Sequence, residues 1–404
     1  MSVQQPAFAP APALPKLPAP HIGVGLGTYY GVHFLGAAPG LLAAVVFYGW
    51  RALLALALVL AGAAATWLAW RTVGRRGPML RLDRTLWMAT LLALLLPVDL
   101  LVANPSARHA WTLAPAGGGL LTVALWLLGG GASARIHPVL SVYLLLAFTC
   151  GPLLVPRHIL HWSRLVIGDL ANAPPARDAL RPGDSWYALP RADRHDAVIL
   201  EPATEGLTAY TTGRQRPDRA WVTLDGLLRD RMPPLEDLAI GGHPGPPGAQ
   251  CVLAAVLGGL ILVNRGLIDL RIPLLALGAM LSALLLMPVP LVITEQGPQW
   301  TILALAGSPM EWSLAITFAN YQALAGPAVF VVFFLATEAS IRPMDRRSRT
   351  CFAIIVGVLI AACQLYVSAA HGACLAVLLA GMLTPVLDRW FAAKPLLTAS
   401  VRPH

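Results

Sequence analysis

Three ionisable residues fall inside long apolar runs or at their ends. His33 lies within the first such run, and Asp99 and Glu338 each lie at the end of another. An ionisable group at membrane depth is typical of a functional site, such as a proton relay or a cofactor contact, because an apolar environment disfavours its charged form. The alternative is that His33 turns toward a neighbouring helix and that water at the membrane surface hydrates the two carboxylates.

Two histidines, His158 and His161, are spaced three residues apart beside Trp162. Paired imidazoles can hold a metal or a heme. No third ligand is evident, however, and a belt of His and Trp at the membrane surface explains the same residues. The five cysteines show neither CxxC nor metal-type spacing. We therefore predict no metal site and no catalytic residue.

A glycine-rich turn precedes His137. Gly129-Gly130-Gly131 and Arg135 lead into His137-Pro138, which opens an apolar run. Free backbone N–H groups at the positive end of a helix bind a phosphate or a ring carbonyl of a cofactor. Gly130 and His137 are therefore candidate cofactor-binding residues.

The composition excludes a water-soluble globular protein. Of the 404 residues, 57% are hydrophobic and 12% are charged, whereas soluble domains carry about 25% charged residues. The net charge of +9 comes mainly from arginine in short loops between apolar runs. Such loop charge sets the orientation of membrane helices and does not indicate nucleic-acid binding.

Runs without Asp, Glu, Lys or Arg locate the membrane spans. A span needs about 20 apolar residues, and the last run, from Arg349 to Asp388, is long enough for two helices that turn at His371-Gly372. We predict an all-α integral membrane protein with about ten transmembrane helices, at roughly 31–50, 52–70, 84–103, 110–130, 137–156, 248–264, 272–293, 314–337, 350–369 and 372–391.

Arginine placement predicts the orientation. Basic clusters at 71–84 and 342–349 fall on one side of these spans, whereas the short loops on the other side carry Arg51 and Arg108. Basic short loops stay in the cytoplasm, so both termini are predicted to be cytoplasmic in a bacterial-type inner membrane.

A polar insert divides the spans into five and five. An odd number of helices per half inverts the second half relative to the first, as in transport folds with a site at the membrane midplane. Pro/Gly interruptions at 36–40, Pro97 and Gly326-Pro327 fit helices that line a cavity. The predicted organisation is a Pro/Ala-rich cytoplasmic tail (1–28), a first five-helix half (29–156), an outer-face insert (157–247), a second five-helix half (248–392) and a C-terminal tail (393–404).

An ordered series of short motifs runs along nearly the whole chain. It comprises Pro20-His21-Ile22, Phe47-Tyr48-Gly49-Trp50, Leu128-Gly129-Gly130-Gly131, His137-Pro138, Gly242-His243-Pro244-Gly245, Leu267-Ile268-Asp269-Leu270-Arg271-Ile272-Pro273, Phe333-Phe334-Leu335-Ala336-Thr337-Glu338 and Thr384-Pro385-Val386-Leu387-Asp388-Arg389. Together with the ten-span hydropathy, this series resembles the RnfD/NqrB family, the membrane flavin subunits of the Rnf complex and of the sodium-translocating NADH:quinone oxidoreductase.

The resemblance implies a subunit of a multi-subunit electron-transfer complex that couples flavin redox chemistry to Na⁺ or H⁺ movement. Family members carry FMN esterified through its phosphate to a threonine in the loop after span five, in a motif similar to Asp-x-x-Ser/Thr-Gly-Ala-Thr. Here the motif resembles Glu205 to Thr211, so Thr211 is the implied acceptor on an exposed flexible loop and Thr208 the earlier hydroxyl. Ala209 and Tyr210 depart from the family pattern. Riboflavin or a second flavin is a further implied cofactor.

Two function classes follow. The first is the redox subunit, whose partners are other membrane redox subunits and the lipid bilayer. The second is a flavin-free channel-like, transporter-like or scaffold subunit of a respiratory or photosynthetic membrane complex. The chain has no NAD-binding glycine motif and no iron–sulfur cysteine spacing, so soluble electron donors are expected to dock through partner subunits.

Overall fold

The structure is a computed structural model that describes residues 26–73, 80–102, 109–128, 136–160, 168–171, 173, 196–213, 223–294, 297–305 and 309–391. Helices dominate these residues, and two small antiparallel sheets accompany them. This agrees with the predicted helical membrane protein at the level of fold class.

The first half contains five apolar helices. Gly49, with a φ of 64°, makes the tight turn between the first two. Pro97 lies just beyond the end of the third helix, and Pro138 is the first residue of the fifth, a position where its missing N–H costs nothing. The helices are α1 (Leu26–Tyr48), α2 (Trp50–Val73), α3 (Leu82–Leu95), α4 (Leu113–Leu127) and α5 (Pro138–Cys150).

The described part of the insert is a small polar layer of short elements. Its two strands pair antiparallel, with Ile159 opposite Val198. Thr223 caps one of its helices by accepting a hydrogen bond from the Gly226 amide. The elements are β1 (His158–Leu160), β2 (Ala197–Ile199), α6 (Ala203–Thr211), α7 (Leu224–Asp230) and α8 (Leu235–Ile240).

The second half contains five apolar helical segments, one of them broken, and a hairpin. Asp345 caps the α13 N-terminus by accepting from the Arg347 and Ser348 amides, and these hydrogen bonds to its charged form lower the pKa of Asp345. The elements are α9 (Val252–Asn264), α10 (Arg271–Leu286), β3 (Pro288–Thr294), β4 (Gly297–Ile302), α11 (Pro309–Leu324), α12 (Ala328–Leu335), α13 (Arg346–Tyr366) and α14 (Gly372–Phe391).

Each of the ten predicted spans contains a helix, but the helices differ in length. Five described helices are long and apolar enough to cross a membrane, and α11 with α12 make a sixth span if the pair, bent by 62°, counts as one. Shorter apolar helices cover Pro138–Leu154, Val252–Asn264 and Arg271–Leu286. The five long helices are Gly27–Tyr48, Trp50–Thr72, Ala110–Leu127, Arg346–Tyr366 and Gly372–Phe391.

Two details of the predicted spans are wrong. Span seven ends at Leu286, because Pro288 and Pro290 cannot continue a helix and the β-branched residues after them pair as the β3–β4 hairpin. The predicted interruption at 36–40 is absent, since α1 runs continuously through Pro39. Pro97 and Gly326-Pro327 do end helices as expected.

Glycines bring corresponding helices of the two halves into close contact. A Cβ on Gly118 of α4 would lie 2.0 Å from the Val59 carbonyl oxygen of α2, and a Cβ on Gly357 of α13 would lie 2.2 Å from the Ala276 oxygen of α10. The second and fourth helices of each half therefore meet backbone to backbone, as is common between membrane helices. The first helices, α1 and α9, cross in the same way at Gly36 and Gly258.

Candidate functional site

A small cavity brings together two of the ionisable residues selected from the sequence. His33 and Glu338 both line it, with Tyr29, Trp87 and Thr337. Tyr29 and His33 are one turn apart on α1, so they share a face of that helix. Trp87 reaches the site from α3, and its ring meets the His33 ring edge to face at 5.0 Å. We call this space the His33 cavity.

Hydrogen bonds fix the orientation of both ionisable groups. The His33 Nδ1–H donates to the Tyr29 carbonyl oxygen at 2.8 Å, which leaves Nε2 as the acceptor of the neutral ring. The Glu338 carboxylate accepts from the Ser340 amide at 2.6 Å and from the Ser340 hydroxyl. The cavity therefore presents one basic nitrogen and one carboxylate that are held in defined positions.

A π-helical turn leads into the cavity. The Val331–Leu335 segment is π-helical, and the Ala336 amide donates to the Val331 oxygen at 2.8 Å. Such turns insert an extra residue into a helix and are frequent at functional sites. Here the turn is followed directly by Thr337 and Glu338, which line the cavity.

His137 lies close to the cavity and is fully buried. Neither ring nitrogen has a hydrogen-bond partner in the described structure, although Glu338 is near enough for its charge to act on both His137 and His33. A buried imidazole without a partner indicates a missing ligand or water. Gly130, predicted to act with His137, lies outside the described residues, as do all of 129–135.

The size of the His33 cavity decides what it holds. Its volume is about 10 Å³, which accommodates about one water molecule. A flavin ring system does not fit there in this arrangement. The cavity can hold a water between a neutral imidazole and a carboxylate, which is an arrangement that passes or stores a proton.

The threonines of the predicted flavin motif lie on α6, and the expectation of an exposed loop is wrong. Thr211 is the last residue of that helix and is 3% exposed, with its hydroxyl donating to the Leu207 oxygen at 3.0 Å. Thr208 donates to the Thr204 oxygen and accepts from the Ala369 amide at 2.9 Å. Tyr210 is buried and donates to the Leu291 oxygen, which anchors the helix.

These residues do not fit a flavin phosphoester as α6 is folded here. Thr211 supplies the right hydroxyl chemistry, but its oxygen is covered and already bonded. The reason is packing: the large Tyr210 side chain and the Thr208 contact hold α6 against β3 and the turn after α13. Attachment at Thr211 would require the C-terminal turn of α6 to open.

Asp99 and His158 form a structural junction on the insert side. One Asp99 carboxylate oxygen accepts from the Arg157 and His158 amides, each at 3.0 Å, and from His158 Nδ1. Beside it, Arg51 donates to the Leu101 oxygen and to Asp169 at 2.5 Å, and this hydrogen bond lowers the pKa of Asp169. The alternative of a hydrated carboxylate is replaced by an anchor for β1. His161 and Trp162 lie outside the described residues.

Sequence reasoning missed two buried glutamines. Gln322 of α11 and Gln364 of α13 are 1% and 0% exposed, and no carboxamide atom of either has a hydrogen-bond partner in the described structure. Neutral amides do not interrupt a hydropathy pattern as charges do. The usable signal was the position of Gln322, four residues before the helix-breaking Gly326-Pro327.

Comparison with known proteins shows which family shares this architecture. Residues 18–396 match the model of the NQR2, RnfD, RnfE family. The chain belongs to the NQR2, RnfD, RnfE family. This membership confirms the resemblance inferred from the ordered motifs, and it spans both membrane halves and the insert.

Curated relatives in this family align over most of their length. The chain is 25% identical over 363 residues to a subunit of the ion-translocating oxidoreductase complex of Vibrio vulnificus (strain YJ016), which covers 89% of this chain and 92% of the relative. It is 24% identical over 359 residues to the protein of the same name from Vibrio atlanticus (strain LGP32), covering 89% and 91%. The sequence is thus a divergent family member.

Proposed function

We propose that this protein is the membrane subunit of a multi-subunit electron-transfer complex that moves ions. The observation that carries the proposal is the alignment of both membrane halves with relatives that are named as subunits of an ion-translocating oxidoreductase complex. The His33 cavity supports ion movement, because it places an imidazole and a carboxylate within apolar surroundings.

Within this function we propose ten membrane-crossing segments in two inverted halves of five. The support is the recurrence of packing, since the second and fourth helices meet through glycine in each half and α1 crosses α9. The short helices α9 and α10 reach across when the bilayer thins or flanking residues extend to its surface. Both termini are placed in the cytoplasm of a bacterial-type inner membrane, with 157–247 outside, on the distribution of arginine.

Covalent FMN on Thr211 is a separate proposal that rests on motif spacing. The hydroxyls of Thr208 and Thr211 stand three residues apart, as in the motif. A flavin would supply one- and two-electron redox chemistry, while this chain would position it. Since Thr211 is buried, the proposal requires α6 to open at its end before attachment. Riboflavin or a second flavin near His137 would likewise require a larger cavity than the one described.

Purification in a mild detergent tests the function. The tagged full-length protein is expected to bring down other membrane redox proteins in a fixed ratio, identified by mass spectrometry and quantified by staining. An unrelated multi-span membrane protein with the same tag serves as the control. Recovery of a stable solitary protein that moves solutes in liposomes would contradict the complex-subunit function and favour a transporter.

A further inference from the structure

The broken span α11–α12 contains polar groups that the His33 cavity does not use. Gln322 lies in the last turn of α11, and Gly326 follows one turn later, so both positions fall on the same side of the helix. Gln364 of α13 lies against this break, because a Cβ on Gly326 would lie 3.4 Å from its Nε2. Two buried carboxamides that lack partners among the described residues therefore face one break in a membrane helix.

The break also supplies backbone oxygen atoms. Pro327 has no N–H, so the Ala323 carbonyl four residues earlier loses its helical partner. The Ala369 carbonyl, from the turn between α13 and α14, approaches so closely that a Cβ on Gly326 would lie 2.7 Å from its oxygen. Glycine at this position is what admits the carbonyl.

The turn that carries Ala369 is held in place from the insert. The Ala369 amide donates to the Thr208 hydroxyl of α6 at 2.9 Å, and Tyr321 of α11 donates to the Pro233 oxygen at 2.9 Å. The two sides of the break are therefore both fixed by residues of the insert. Fixed, preoriented oxygens bind an ion more tightly than mobile ones.

The chemistry of this donor set selects its ligand. Amide and carbonyl oxygens are hard neutral ligands of the kind that replace the water shell of an alkali cation. Divalent cations such as Ca²⁺ are bound with the help of carboxylates, whereas the four groups identified here are neutral. A carboxamide presents either end by rotation about its last torsion, so the Gln364 oxygen can take the place of Nε2 beside Gly326.

We propose that Gln322, Gln364 and the carbonyls of Ala323 and Ala369 form a binding site for a small monovalent cation, with Na⁺ as the probe. The inference rests on the proposed function, because it gives the ion-moving subunit a specific ion site in the second membrane half. It explains why two orphan amides are retained in an apolar core, where each unsatisfied amide is costly.

Na⁺ binding to the full-length protein tests the site directly. The protein is purified in mild detergent in choline chloride, and NaCl replaces choline at constant ionic strength. Unfolding is followed with a thiol-reactive dye that detects the buried cysteines Cys363 and Cys374. A ligand that binds the folded state raises the unfolding midpoint, so the wild type is expected to gain stability with Na⁺, and equilibrium ²²Na⁺ binding gives the affinity.

Variants separate binding from folding. Gln322→Leu and Gln364→Leu are each expected to weaken Na⁺ binding at least tenfold, while their midpoint in choline equals or exceeds that of the wild type because an orphan amide is removed. Gln364→Glu is expected to tighten Na⁺ binding by adding a charge. Gln250→Leu is the matched control, since this buried glutamine donates to the Gly241 oxygen elsewhere; its midpoint falls but its Na⁺ response stays.

Two results would overturn the site. One is a wild type that neither binds ²²Na⁺ nor gains stability from it, which would leave water as the occupant. The other is a Na⁺ response that survives in both leucine variants. Because neither measurement involves electron transfer or partner subunits, a chain that co-purifies with redox proteins yet ignores Na⁺ would lose this site and keep its proposed function.

Discussion

At the scale of single residues, burial changes the meaning of the functional groups chosen from the sequence. His33 and Glu338 stand out as ionisable groups near apolar runs, and the fold brings them to one cavity. Asp99 meets the same criterion, yet its carboxylate is consumed by the insert. Residue type alone does not distinguish these outcomes, since the partners of Asp99 lie in and beside β1, far along the chain.

The Thr211 hydroxyl gives a prediction about flavin. If the C-terminal turn of α6 opens for attachment, the wild-type protein band is expected to fluoresce after denaturing electrophoresis, and the Thr211→Ala band is expected to be dark. Thr212→Ala is the control, since Thr212 is the neighbouring hydroxyl on the same turn. A dark wild-type band would refute the covalent flavin, and a bright Thr211→Ala band would refute the residue.

Asp99 gives a prediction about stability. Asp99→Ala removes the acceptor of two amides and of His158 Nδ1, so the free energy of unfolding is expected to fall by about 3 kcal/mol. Asp83→Ala is the matched control, because Asp83 pairs with Arg81 at the surface and its loss costs less than about 1 kcal/mol. Thermal unfolding in detergent measures both. Equal effects would show that the Asp99 junction adds nothing.

His243 gives a prediction about pH. The ring is buried in the Gly/Pro-rich segment after α8 and donates to the Asp237 oxygen at 3.2 Å, and burial lowers the pKa of His243 to about 4. The unfolded chain takes up the proton near pH 6.5, so stability is expected to fall as pH decreases from about 6.5 to 4, by about 2 kcal/mol at pH 5. His243→Gln should lose that part of the pH dependence, whereas His109→Gln, at an exposed site, should keep it. Parallel pH profiles for all three proteins would contradict the assignment.

At the scale of elements, charge-free runs locate helices but not how far each extends. The run that predicted span seven includes Pro288 and Pro290, which end α10 and begin a hairpin. Pro39 has the opposite outcome, since α1 continues through it. Both depend on whether neighbouring groups replace the hydrogen bond that proline removes, and hydropathy carries no information about those neighbours. The burial of α6 is hidden for the same reason, because it depends on Leu291 and Ala369.

The close contact between α10 and α13 gives a prediction at this scale. Gly357→Ala places a methyl group 2.2 Å from the Ala276 oxygen, so the helices must separate, and we expect a loss of about 3 kcal/mol. Gly278→Ala on α10 is the matched control. A Cβ there has no neighbour within 4 Å, so the better helix propensity of alanine should stabilise the protein by up to about 1 kcal/mol. Comparable unfolding midpoints for the two variants would refute the close contact.

At the scale of the whole molecule, the distribution of arginine predicts the orientation in the membrane. We expect Asp225→Cys, at an exposed position of the insert, to react with an impermeant thiol reagent added to intact cells. Met344→Cys, exposed between α12 and α13, should react only after the membrane is opened. Both are placed in a chain whose five native cysteines are replaced by alanine. Labelling of Met344→Cys from outside would invert the topology.

The crossing of α1 and α9 has a mechanical consequence. A Cβ on Gly258 would lie 2.1 Å from the Gly36 oxygen, so the two backbones touch with no interlocking ridges between them. Such a contact behaves as a bearing, because it keeps the two halves at a fixed distance while offering little resistance to their relative tilt. Leu262 lies against Gly36 on one side of the crossing and limits the swing in that direction. The molecule thus carries a fulcrum at the point where its two halves meet.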